Sequence, residues 1–170
     1  MDGYGMVILA AGGSSRLGQP KQLLHYQDKS LIQHIAQIAV DVVRSPVVAV
    51  LGAHAHLIGD QLERIPVHTV YNPDWTSGIA SSIRKGLLTA LEFSPEMEAV
   101  IFTVCDQPHI SADLILEMIN ARGGKNKSIV ACTYDRTVGT PVLFSKQHFN
   151  ELLQLHDHEG AKKIIHQDPG

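Results

Sequence analysis

Val7-Ile-Leu-Ala-Ala-Gly-Gly-Ser-Ser-Arg-Leu-Gly-Gln-Pro-Lys21 is an apolar run that stops in glycines, and two cations, Arg16 and Lys21, follow. Val7, Ile8 and Leu9 predict a strand covered on both faces. Gly12 and Gly13 let the backbone approach a ligand closely and tolerate positive φ. Unpaired N–H groups in such a turn form a nest for an anion. Arg16 can fork onto phosphate oxygens, and Lys21 can add a point charge. A polyphosphate is the simplest ligand that needs all of these, the plain alternative being a strand-to-helix turn with two solvated cations. Two common phosphate loops do not fit. A P-loop needs lysine and a hydroxyl directly after its last glycine, whereas Gln19-Pro20 follows Gly18. The dinucleotide fingerprint needs Gly-x-Gly-x-x-Gly, and the adjacent Gly12 and Gly13 break that spacing.

Outward from this loop, strands and helices alternate. The loop runs to about residue 24. Ser30 and Gln33 form a capping-box pattern ahead of Leu31, Ile35, Ile38 and Val42, which predicts a helix over 30–44. Residues 47–51 and 67–71 read as strands flanking a helix over 55–64. Asn72-Pro73 marks a turn, and Ile79, Ile83, Leu87 and Leu91 mark a helix. Residues 99–104 form a strand ending at Cys105-Asp106-Gln107-Pro108. Ser111 caps the next helix, which Gly123-Gly124 is expected to close. A strand over 128–133, a strand or strand-like turn over 138–144, and short helices near 146–155 and 159–167 complete the chain. This alternation predicts an α/β fold, a three-layer α/β/α arrangement around a Rossmann-like, mainly parallel sheet. Ligands of such sheets sit beyond the carboxyl ends of the strands, at a switch point. The glycine loop and Asp106 both follow strands and share that edge.

With 170 residues, 44% of them apolar, the expectation is one domain with a substantial core. A formal net charge of −3 gives no electrostatic reason to expect nucleic acid or a membrane surface as partner. No apolar run approaches the ~20 residues of a membrane helix. No signal-peptide pattern opens the sequence, and two cysteines make no disulfide framework, so a cytoplasmic location is expected.

Asp106, rigidly held after a buried strand, suits Mg²⁺, which takes one or two carboxylates plus phosphates and water; a loop or capping aspartate is the plain alternative. Cys105 reads as a small buried hydrophobe rather than a nucleophile. Ser77-Gly-Ile-Ala-Ser-Ser82 opens a helix with small polar residues, fit for a base or phosphate, or for close packing. Gly139-Thr140-Pro141 reads as a strand-entry turn. His54-x-His56 and His156-x-His158 lack a third ligand at a zinc spacing.

Leu9-Ala-Ala-Gly-Gly-Ser-Ser-Arg-Leu-Gly-Gln-Pro-Lys-Gln-Leu-Leu24 resembles the signature loop of nucleotidyltransferases of the molybdenum-cofactor type. Its double alanine is more similar to the cytidylyltransferases than to the guanylyltransferases. Cys-Asp106-Gln-Pro resembles that family's metal motif, Trp75-x-x-Gly78-x-x-x-Ser82-Ile its Trp-x-x-Gly-x-x-x-Ser-Leu stretch, and Gly139-Thr-Pro its Gly-His-Pro turn, with threonine for histidine.

The resemblance implies the nucleotide-diphospho-sugar transferase type of fold. It also implies transfer of CMP from CTP to a phosphorylated acceptor, molybdopterin or molybdenum cofactor, with release of pyrophosphate. A molybdoenzyme is a further implied partner. Leu9, Ala10, Ala11, Gly12, Gly13 and Lys21 would bind the nucleotide with Gly78 and Ser82. Arg16 and Lys21 would act in catalysis, and Asp106 would hold Mg²⁺. Trp75 would line the acceptor pocket or shield the turn. A sugar 1-phosphate or alcohol phosphate is the alternative acceptor, and a catalytically impaired binding protein for molybdoenzyme maturation the alternative class. The resemblance weakens at Asp157-His-Glu-Gly160-Ala-Lys162, where the family has Gly-Asp-x-Gly-Ala-Arg. The family then continues into an Asp-Ile-Asp-Thr-Pro-like strand, which can supply a second metal ligand. Here the sequence stops at Asp168-Pro-Gly170, and the expectation is a single domain, 1–170, without that strand.

Overall fold

The computed structural model describes residues 3–14, 18–44, 46–125, 127–134 and 137–167. A six-stranded sheet lies between two helical layers. Its parallel strands are β1 (Tyr4–Ala10), β4 (Val47–Leu51), β5 (His68–Tyr71) and β6 (Ala99–Val104). Between β1 and β4 come a two-residue hairpin, β2 (His25–Tyr26) with β3 (Lys29–Ser30), and helix α1 (Leu31–Val42). Beyond β6, β7 (Ile129–Tyr134) pairs antiparallel with β8 (Thr137–Ser145), and β8 pairs antiparallel with β6. The spatial order β5-β4-β1-β6-β8-β7 reverses direction at β1. The crevice between the ends of β1 and β6 is therefore the switch point where ligands of such sheets bind.

Side chains alternate across the sheet and divide the core. Met6, Ile8 and Ala10 of β1 pack with α1, α2 (Ala55–Leu62) and α4 (Ala112–Lys125). Val7 packs on the other face with α3 (Ile79–Phe93) and α5 (Phe149–Leu153). Helix α6 (Lys162–Gln167) adds Ile164 to that second layer. On α3, Gly86 has no room for a side chain: a Cβ there would collide with Val7 and press on Val50. Both caps read from the sequence are formed. Ser30 and Gln33 make the reciprocal capping box, and Ser111 Oγ accepts from Leu114 N at 3.2 Å.

Three expectations change, and one open choice, at 138–144, resolves to a strand. The hairpin at 25–30 lies beyond the expected loop, its strands being too short to show alternation. Gly123 and Gly124 do not close α4, which runs to Lys125. Neither has positive φ, and a Cβ at either would meet nothing. The segment over 138–144 is a full strand, nine residues long, running against its neighbours. The penultimate helix begins as a single 3₁₀ turn, Lys146–His148, before α5.

Candidate functional site

The loop after β1 and the end of β6 meet at the carboxyl edge of the sheet around a cavity of about 210 Å³. Its wall includes Leu9, Gly12, Ser14, Lys21, Gln22, Cys105 and Asp106. Leu9, Gly12, Lys21 and Asp106, all expected at the site, thus come together although Asp106 is 85 residues from Lys21 in sequence. Lys21 Nζ stands 3.5 Å from Asp106 Oδ2, and the two side chains are 43% and 42% exposed. The contact is open enough for either group to exchange partners. Ala10 and Ala11 are buried behind the loop, and Gly13 lies under the Trp75 ring. Arg16 lies outside the described residues.

The loop's shape has a different origin from the one expected. Gly12 and Gly13 do not adopt positive φ. Ser14 does, at 50°, and Gly18 at 67°. A Cβ at Gly12 would meet none of the described residues within 4 Å, so the space beside this glycine is open. Ser14 Oγ accepts from Lys21 N at 3.0 Å. Gln22, only 3% exposed, donates from Nε2 to both Ala10 O and Gly12 O, each at 2.9 Å. The chain beyond the loop is thereby tied back to the loop. A polar side chain inside the apolar Leu23-Leu24 neighbourhood was the available signal for Gln22. From the other side, Ala53 N donates to Ala11 O at 3.0 Å. A Cβ on Gly52 would stand 2.6 Å from that same oxygen, so this approach requires glycine.

Gly78 and Ser82 do not line this cavity. Ser82 is buried, and its Oγ accepts from Asn72 Nδ2 at 3.0 Å. Asn72, also buried, donates to Ser81 Oγ and accepts from Asp74 N. This network shapes the turn that leads into α3 and was not foreseen. Gly78 has φ 126°, and a Cβ there would collide with the Asp157 carbonyl. That same carbonyl accepts from Ala80 N at 3.3 Å. Asp157 therefore meets the start of α3 through its backbone. The neighbouring Glu159 carboxylate accepts from Lys163 Nζ at 2.8 Å and from His156 N at 3.1 Å. Those two bonds, the lysine first, hold its carboxyl below the usual value. Trp75 covers Gly13 and Gly52.

Thr140, which stands where the resembling family has histidine, donates to Gln107 Oε1 at 3.1 Å. The turn entering the antiparallel strand is thus tied to the Asp106 segment. Beside it, an apolar cavity of about 160 Å³ shares Leu9 with the polar one and runs under α6 toward Phe102 and Ile165. Burial first, and then the neighbouring Asp106 charge, push the Cys105 thiol up to about 12. A thiol so protonated is no nucleophile at neutral pH.

Asp106 is the only carboxylate among the described residues that line the polar cavity. No group of three or more His, Cys, Asp or Glu gathers among the described residues to hold a metal. One carboxylate with open space beside it fits a hard divalent cation that takes its other ligands from phosphates and water.

The molecule is thus an α/β protein whose mainly parallel sheet sets a glycine loop, a lysine and an aspartate together at its switch point. The chain belongs to the family of the MobA-like NTP transferase domain, whose model matches residues 6–170. It is 31% identical over 131 residues to a nicotine blue oxidoreductase of Paenarthrobacter nicotinovorans, covering 76% of this chain and 62% of that protein. It is 25% identical to a probable molybdenum cofactor guanylyltransferase of Bacillus cereus, with the same two coverages. The molybdenum cofactor cytidylyltransferase of Escherichia coli is 22% identical over 91% of this chain and 76% of its own length. The chain thus spans about 62% of the length of the first two relatives. Among solved structures, Rv0371c of Mycobacterium tuberculosis superposes with a TM-score of 0.83 at 29% identity, over 98% of this chain and 83% of that one. Its complex with manganese gives 0.76 at 27%, with the same coverages. The fold is that of the nucleotide-diphospho-sugar transferases. No helix of the described residues is long and apolar enough to cross a membrane.

Proposed function

We propose that the chain transfers a nucleoside monophosphate, CMP from CTP, to a phosphorylated acceptor of the molybdopterin kind and releases pyrophosphate. The observation that carries this reading is the meeting of the glycine loop, Lys21 and Asp106 around one cavity. In-line displacement at a phosphorus needs no covalent nucleophile, and its catalysis is positioning plus charge stabilisation. The loop amides cradle the triphosphate. Lys21, with Arg16, neutralises the α-phosphate and the departing pyrophosphate. Gly78 and Ser82 help place the nucleoside through the turn that opens α3. Asp106 is the residue to hold Mg²⁺, which when bound supplies positive charge against the phosphates. The manganese complex of Rv0371c supports a divalent cation at this fold. The double alanine, Ala10-Ala11, supports CTP over GTP, and the E. coli cytidylyltransferase supports the acceptor.

A second reading is redox chemistry, favoured by the name of the Paenarthrobacter relative. Pyrophosphate release decides between them. CTP, GTP, ATP and UTP are each incubated with Mg²⁺ and molybdopterin, a sugar 1-phosphate or an alcohol phosphate. Metal-dependent release that is fastest with CTP and molybdopterin supports the proposal. Nucleotide binding without release from any pair leaves a binding protein, and the absence of nucleotide binding removes the reading altogether.

A further inference from the structure

We infer that Gln22 is a positioning residue that sets the glycine loop in its ligand-receiving shape. The inference rests on reading that loop as the nucleotide's phosphate cradle. Gln22 sits in a 3₁₀ turn, Lys21–Leu23, directly after the loop, and its side chain is almost wholly buried. Its two hydrogen-bond partners, Ala10 O and Gly12 O, are both acceptors at 2.9 Å. The amide nitrogen must therefore face them, because a glutamine oxygen could bond neither. With both its hydrogens committed, the side chain fixes the direction of two carbonyls of the loop. Pinning those carbonyls constrains the peptide planes of the turn that ends in the left-handed Ser14, and a nest needs successive N–H groups held in such a turn.

The other end of the amide is informative. Gln22 Oε1 is buried and accepts no hydrogen bond among the described residues. Burying an unpartnered acceptor is unfavourable. An apolar side chain of the same size would avoid that cost while filling the same space. The glutamine is thus held for its two donors, and those donors act on the loop alone. Lys21 N reinforces the same geometry by donating to Ser14 Oγ at 3.0 Å, beside the left-handed turn at Ser14. Gln22 reaches the reaction through the loop rather than by touching the phosphates.

The test compares wild type with Gln22→Met and Gln22→Glu. Methionine keeps the volume and loses both polar ends. A glutamate carboxylate keeps the acceptors and loses the donors. Binding of CTP with Mg²⁺ is measured by calorimetry, and thermal unfolding is followed without nucleotide. Both variants are expected to bind at least tenfold more weakly at temperatures where unfolding shows them folded. Wild-type affinity in folded Gln22→Met or Gln22→Glu overturns the inference, since it leaves Gln22 a packing residue. If neither variant folds, the wild-type protein still decides. Its Gln22 side-chain NH₂ resonances should exchange slowly with solvent and shift when CTP and Mg²⁺ are added. Exchange at the rate of a free glutamine, or no shift at saturation, overturns the inference. A wild type that binds no nucleotide contradicts the phosphate-cradle reading itself, which is a separate outcome.

Discussion

Lys21 and Asp106 neutralise each other across the cavity, but at 3.5 Å and more than two-fifths exposed the pair is a weak one. On the proposed function it would give way as phosphate reaches the lysine and a cation reaches the carboxylate. Lys21→Ala should therefore lower turnover more than tenfold, about 1.4 kcal/mol in the barrier, in steady-state pyrophosphate release. Near-normal turnover would remove Lys21 from the site. Asp106→Ala should abolish the magnesium response, yet bind CTP without metal at least as tightly as wild type, because Lys21 has lost its competitor. A retained magnesium response would move the metal elsewhere. Cys105 makes a separate prediction. Its thiol is raised from the ordinary 9.0 to about 12, so the stability it contributes is present below pH 9 and is lost as pH rises toward 12. Unfolding midpoints taken on both sides of that window should fall further for wild type than for Cys105→Ala, and that variant should keep its turnover. Equal falls would show that the thiol is not held protonated by its surroundings. At this scale the meeting of Lys21 and Asp106 was legible because both belong to segments that follow strands at one edge of the sheet. Gln22 was not, because its role depends on two carbonyls whose direction no residue pattern records.

At the scale of elements, the turn into α3 depends on one asparagine. Asn72 Nδ2 donates to Ser81 Oγ and Ser82 Oγ while its Oδ1 accepts from Asp74 N. Asn72→Ala strands these groups and should cost about 1–3 kcal/mol, read from urea unfolding. A change below experimental error would mean that the turn holds without it. Ser82→Ala separates packing from recognition: a weaker CTP interaction with little loss of stability supports its place on the nucleoside side, and the reverse assigns it to the turn. The strands and amphipathic helices were legible because hydrophobic periodicity reports burial directly. Both helix caps were legible because their side-chain bonds span only three residues. The hairpin at β2 and β3 offered too few residues for a period. Gly123 and Gly124 misled for a different reason. A helix tolerates glycine in an exposed last turn at a cost of about 1 kcal/mol each relative to alanine, and α4 accepts it. Gly78 is glycine for a reason that no local pattern shows. Its need for glycine comes from the Asp157 carbonyl, a contact between segments far apart in the chain.

For the whole molecule, the reversal of strand order at β1 creates the site. It sets the loop after β1 beside the end of β6, and no local feature of either segment requires the other. The alternation of strands and helices predicted the parallel core and the sheet edge at which the loop and Asp106 meet. It did not reveal that β8 alone reverses, running against both β6 and β7 and bringing Thr140 to Gln107. The central claim is that the loop, Lys21 and Asp106 together move a nucleotidyl group. CTP labelled at the α-phosphate, with molybdopterin and Mg²⁺, tests it most directly. The label should pass into the acceptor in proportion to pyrophosphate formed, and should not do so with Asp106→Ala. Label that stays in CTP with the wild-type protein, or that moves equally well with Asp106→Ala, would contradict the account.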